Sequence, residues 1–151
     1  MYVKAKRKRG FTLVEAMLSL FMVATAGAIL ASAMPVSTVS RTKANYVNKA
    51  ANFAAKEIEL MKAQTYPNLS PDKLLAADCI DSITPVSANT YSCNNTDAAV
   101  GDRVVDILPH GSATATIEQI DIELRRITLT VSWTEKGRAR SFVAASLVAN
   151  L

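Results

Sequence analysis

The stretch Arg9-Gly10-Phe11-Thr12-Leu13-Val14-Glu15 decides how this chain is organised. A basic tail, Lys4, Lys6, Arg7, Lys8 and Arg9, stops at a glycine, and an apolar run begins at Phe11. One carboxylate, Glu15, sits a single helical turn inside that run. Beyond it no charged residue occurs from Ala16 to Ser40. That span exceeds the roughly 20 apolar residues that a helix needs to cross a bilayer, so a transmembrane helix is predicted.

Charge follows the same division. The full chain has 17 Lys and Arg against 13 Asp and Glu, a net charge of +4. Five of those cations lie before Phe11, where there is no acid, so a cut after Gly10 leaves 12 basic against 13 acidic residues. The basicity therefore belongs to the leading segment, where positive charge beside an apolar span holds that end on the cytoplasmic side. A secretory signal also starts basic but is cut after its apolar region. Here the glycine precedes the apolar region, so a cut at Gly10 keeps the membrane segment in the mature protein.

Taken together, the charge block, Gly10, Phe11, Thr12, Leu13, Val14 and Glu15 resemble the prepilin processing motif of type IV pilins and their relatives. The resemblance implies that a membrane prepilin peptidase cuts between Gly10 and Phe11 and methylates the new amino terminus. It places Glu15 as the fifth residue of the mature chain and gives it an assembly role, pairing with the Phe11 amine of a neighbouring subunit. An ionised carboxylate inside a bilayer is costly and needs such a partner. The implied partners are other pilins in a helical filament, the peptidase and the inner-membrane assembly machinery. The implied location is the bacterial inner membrane in a single pass, then an extracellular pilus or a periplasm-spanning pseudopilus.

Small residues at Ala24, Ala28 and Ser32 recur every fourth position, which lets a neighbouring helix approach closely. Pro35 lacks an amide and predicts a kink before it. The helical pattern then continues to about Ala63 as an amphipathic rod. Ala44, Val47, Ala51, Ala54, Ile58 and Met61 form one apolar line, while Asn45, Lys49, Asn52, Lys56 and Glu59 project oppositely. A second line, Val39, Tyr46, Phe53 and Leu60, repeats every seven residues. The favoured reading is one broad core-facing surface; in the alternative the first line packs on the protein's own sheet and the second on neighbouring subunits.

Tyr66-Pro67-Asn68-Leu69-Ser70-Pro71 ends the helix, and Asp72 to Ala77 is expected to form a short helix capped by Ser70. A polar connection follows, containing Cys79 and Cys93. An even cysteine count in a presumed exported head predicts one disulfide between them, worth about 3 kcal/mol for a loop of this length. From Val104 the pattern becomes β. Ile127, Leu129, Val131 and Trp133 alternate with Thr128, Thr130, Ser132 and Thr134, as in a half-buried strand. Glu135-Lys136-Gly137-Arg138 reads as a hairpin connection to a strand over Ala139 to Ala149, and another strand lies between Thr114 and Leu124. A turn or bulge is expected around Asp121 to Arg125.

The expected fold class is α+β: a long amino-terminal helix, half transmembrane and half amphipathic, packed on a carboxy-terminal antiparallel sheet. The resemblance implies the ladle shape of a type IV pilin. The segments are a leader over 1–10, a transmembrane or filament-core helix over 11–40, an amphipathic half over 41–65, a connecting loop over 66–103 and a sheet over 104–151.

Enzyme chemistry is not expected. His110, the only histidine, lies in a Pro109-His110-Gly111 turn without a paired nucleophile, and there is no phosphate-binding loop or metal-ligand pattern. No cofactor or metal is expected. Arg125, Arg126, Lys136, Arg138 and Arg140 form a basic cluster that could touch phosphates, but nucleic acid is not the expected partner. The function that fits is a structural one, a minor pilin of a type IV pilus or pilus-like machine. The alternatives are a minor pseudopilin of type II secretion, a competence or DNA-uptake pilus subunit, or a membrane-anchored adhesin or DNA-binding module that does not polymerise.

Overall fold

Ile127, Leu129, Val131 and Trp133 are all buried, and the residues between them face the other side of the sheet. This strand lies at the centre of the packed core. The computed structural model describes Thr12–Asn150, the side chains of residues 33–37 excepted. In chain order its elements are α1 (Leu13–Ala63), a 3₁₀ turn (Tyr66–Asn68), α2 (Pro71–Ala76), β1 (Thr90–Ser92), α3 (Val104–Ile107), β2 (Ser112–Asp121), β3 (Leu124–Glu135) and β4 (Arg138–Ala149). The chain divides into two compact units, residues 1–43 and residues 44–151.

The described part of the first unit is the amino-terminal part of α1. Leu13–Ser32 is 20 residues long and apolar enough to cross a membrane, and none of it is buried by the protein itself. Leu13, Val14, Met17, Leu18, Leu20, Phe21 and their neighbours stand exposed. The helix assignment is continuous through Pro35.

The second unit is an α+β head. Its sheet has the order β1-β2-β3-β4, antiparallel throughout. Ala113 and Ala115 on β2 lie beside Val131 and Leu129, and Phe142 and Ala144 on β4 lie beside the same two residues. These residues share one core with Ala50, Phe53, Ala54, Ile58 and Met61 of α1. The small alanines of β2 let the helix side chains reach the sheet, and each large apolar residue buried there contributes about 1.5–3 kcal/mol.

Lys136 and Gly137 both have positive φ, as a two-residue type I′ turn requires, and the β3–β4 ladder runs unbroken over 12 pairs. The β2–β3 register shifts between Gln119 and Asp121. Tyr66, in the 3₁₀ turn after α1, donates its hydroxyl to the Ile122 carbonyl, fastening this connection to the β2–β3 turn. At Gly111 a Cβ would fall 2.6 Å from the Val104 carbonyl oxygen, so only glycine allows this approach of β2 to α3.

Three details differ from the expectations. The sheet takes its first strand, β1, from within the polar connection, and Val104–Ile107 is helical rather than extended. Ser70 stands at the cap position of α2 without a side-chain capping bond. On the helix, Phe53 of the second apolar line is buried in the core with the first line, as one broad core-facing surface requires, while Val39 and Leu60 are 45% and 42% exposed. Glu57, a charged residue, is fully buried on the same face. Ala50, Phe53, Ala54, Glu57, Ile58 and Met61 follow three- and four-residue steps, so this is the face that meets the sheet.

Candidate functional site

Thr12 and Glu15 build the start of α1. Ala16 N donates to Thr12 O at 3.1 Å, the first helical bond, and Glu15 N donates to Thr12 Oγ1 at 3.3 Å. A threonine cap with glutamate three positions on is the capping-box pattern, in which the hydroxyl satisfies an amide left over at the helix end. The Thr12-to-Glu15 spacing carries this signal in the sequence. The Glu15 carboxylate lies in the first helical turn, where the helix dipole favours negative charge. It is exposed, on a segment whose apolar side chains are also unburied by the protein. Gly10 and Phe11, the expected processing residues, lie outside the described residues.

The membrane-length segment carries few polar side chains, and three are satisfied by its own backbone. Ser19 Oγ donates to Glu15 O at 2.8 Å, Thr25 Oγ1 to Phe21 O at 3.0 Å and Ser32 Oγ to Ile29 O at 2.8 Å. Such bonds let hydroxyl side chains enter an apolar surrounding without an unpaired donor.

The predicted disulfide is not formed in this structure. Cys79 and Cys93 are both buried free thiols. Cys93 Sγ is directed to the Cys79 carbonyl at 3.1 Å and towards Glu57 Oε2 at 3.9 Å, instead of bonding to the other sulfur. Burial, with the neighbouring Glu57 and Asp78 carboxylates, pushes the Cys79 thiol up to about 11. Cys93 is pushed higher still by burial and by Glu57 and Asp81.

Asp81 organises the loop around these thiols. Its carboxylate accepts from Asn94 N at 2.6 Å, Thr96 N at 3.1 Å and Ser92 Oγ at 2.8 Å. Burial works against its charge, but these donors outweigh burial and hold the carboxyl below its ordinary value. Asn94 then continues the ladder, accepting from Ala113 N through its side chain at 2.8 Å.

The basic cluster is largely spent on the fold. Arg125 lies over the Tyr66 ring at 4.6 Å and donates to Leu69 O at 2.7 Å. Arg126 is 3.8 Å from Glu118 and Arg140 is 3.7 Å from Glu135. Three of the five cations considered for phosphate contact therefore already face protein partners. His110 is exposed at a turn with φ of 51°. Among the described residues, no group of three or more His, Cys, Asp or Glu side chains is placed to hold a metal ion.

Residues 5–31 match the family model described as the prokaryotic N-terminal methylation motif. This is the type IV prepilin leader signature, and it implies processing by a prepilin peptidase and assembly with other pilins at a membrane-associated machinery. With the apolar helix behind it, the motif supports a type IV pilin-like or pseudopilin-like protein and points to a structural role. No curated protein and no solved structure gives a significant match to the chain.

Proposed function

We propose that this chain is a minor pilin, a structural subunit of a type IV pilus or pilus-like machine. Cleavage between Gly10 and Phe11 releases the basic leader and creates an amine. Glu15 of an entering subunit pairs with the Phe11 amine of a neighbour, which neutralises both charges in an apolar surrounding and sets the axial register. The exposed apolar helix from Leu13 to Ser32 serves first as the membrane anchor and then as the filament core. The observation that carries this reading is a carboxylate in the first turn of an unburied membrane-length helix, inside a matched methylation motif.

Glu15→Ala tests it. The variant is expected to be cut and to insert in the membrane, yet to reach sheared filaments at least about tenfold less, as for loss of a pair worth about 1.4 kcal/mol. Incorporation equal to that of the parent chain would remove the assembly role.

A further inference from the structure

A recess of about 300 Å³ opens in the head between the connection into α2 and the first three strands, with Ser70, Asn89, Tyr91, Gln119 and Arg125 among its walls. The lengths of the strands create it. β1 begins at Thr90, which pairs with Thr116, whereas β2 and β3 run on to the Gln119–Arg125 pair. Just before β1, Asn89 takes φ of 53° and its carbonyl accepts from Ile117 N at 2.9 Å. Beyond that bond the sheet is one strand narrower, and the space stays open.

Arg125 is the one charged residue lining this space. Arg103, Arg126 and Arg140 each stand by a carboxylate, Asp106 at 2.8 Å, Glu118 at 3.8 Å and Glu135 at 3.7 Å. Arg125 has no such partner among the described residues. The Tyr66 ring holds its face and the Leu69 carbonyl accepts from Nη1, so the guanidinium is fixed but its charge is not cancelled. Its Nε and Nη2 edge makes no hydrogen bond among the described residues. That edge is a fork suited to two parallel bonds to a carboxylate, and a guanidinium already held in place loses little freedom in making them.

The neighbours of Arg125 add a second demand. The Ser70 and Tyr91 hydroxyls and the Asn89 and Gln119 side-chain amides also make no hydrogen bond among the described residues. Each of these groups both donates and accepts, as recognition of ligand hydroxyls requires. Most ligand pockets are lined chiefly by apolar groups and reach ~300–1,000 Å³. This one is small and mainly polar, so it suits a single hydroxylated ring better than an apolar peptide side chain.

We propose that the recess binds a carboxylate-bearing sugar, a hexuronate at the end of a glycan. The carboxylate takes the open edge of Arg125, and the ring hydroxyls bond to the surrounding amides and hydroxyls. Phosphate recognition typically draws a cluster of arginines, whereas a single planar guanidinium matches a single planar carboxylate. The site belongs to the head alone and does not depend on how the chain enters a filament.

Ligand-observed NMR on the full chain, in a detergent without a sugar headgroup, tests this. Galacturonate is expected to bind with a Kd on the order of 1 mM. Galactose lacks the carboxylate and acetate lacks the hydroxyls, so each is expected to bind at least about tenfold more weakly. Arg125→Lys keeps the charge but loses the fork, and is expected to weaken galacturonate about tenfold. Arg125 also holds the connection after α1, so two further variants spare that role. Gln119→Ala and Tyr91→Phe are each expected to weaken binding about threefold or more with an unchanged melting temperature. The proposal is overturned if the parent chain does not bind galacturonate, or if galactose, inorganic phosphate or dialanine binds as tightly. Full affinity in the Gln119→Ala, Tyr91→Phe double variant overturns it as well.

Discussion

Asn95 Nδ2 donates to Glu57 Oε1 at 2.7 Å, which ties the loop after Cys93 to the fully buried carboxyl of α1. Glu57 is the only charged side-chain type buried among the described residues of the head core. Burial pushes its pKa up, while the Asn95 bond and the nearby Lys56 charge only partly oppose that push. Relative to the unfolded chain, the folded head therefore shifts this carboxyl towards its protonated form.

The pH dependence follows. A raised folded pKa contributes stability that is fully present below the ordinary glutamate value of about 4.3 and is lost as pH rises through the folded value. Asp81, held low, works in the opposite sense: its contribution is present above about 3.9 and is lost as pH falls. Glu57→Gln keeps an acceptor for Asn95 and removes the cost of ionisation. Its melting temperature is expected to exceed that of the parent at pH 8 and to match it near pH 4. Fluorescence of Trp133, the one tryptophan, reports both melts. A gain no larger at pH 8 than at pH 4 contradicts the assignment.

The cysteines give a chemical test. Buried and held protonated, Cys79 and Cys93 should not react with a thiol reagent at pH 7.5 while the head is folded. Both should react on addition of denaturant without reductant. Titration that finds no thiol in the denatured chain restores the disulfide that the sequence suggested.

Trp133 is buried, and its indole N–H finds no acceptor among the described residues. Removing the whole ring with Trp133→Ala should cost about 3–5 kcal/mol. Trp133→Phe removes the unpaired donor along with part of the ring, so its cost should stay below about 1.5 kcal/mol. Circular-dichroism melts order the two variants; equal losses would show that the indole N–H is not a liability.

The parts legible in sequence are those where one physical demand acts alone. Ile127 to Trp133 alternate because only one face of β3 is buried, and Lys136-Gly137 announces its turn because both residues must take positive φ. Glu57 was not legible, since a glutamate on a helix reads as solvent-facing until Asn95 is known to meet it. The seven-residue spacing of Phe53 to Tyr46 and Leu60 leaves an outward seam open as an alternative, and only the packed neighbours Ala50 and Ala54 decide for the core. β1 is not legible in sequence, because three residues in a Ser- and Asn-rich loop show no alternation. At the amino-terminal site, the charge block, glycine and acid were visible together. The Thr12 cap was present in the same letters but needed the helix start to be fixed.

The central claim is that a cut after Gly10 delivers a subunit into a filament. Mass spectrometry of the chain recovered from sheared, purified filaments tests it most directly. The account predicts an amino-terminal peptide that begins at methylated Phe11. A chain that begins at Met1, or one retained in the membrane and missing from filaments, contradicts it.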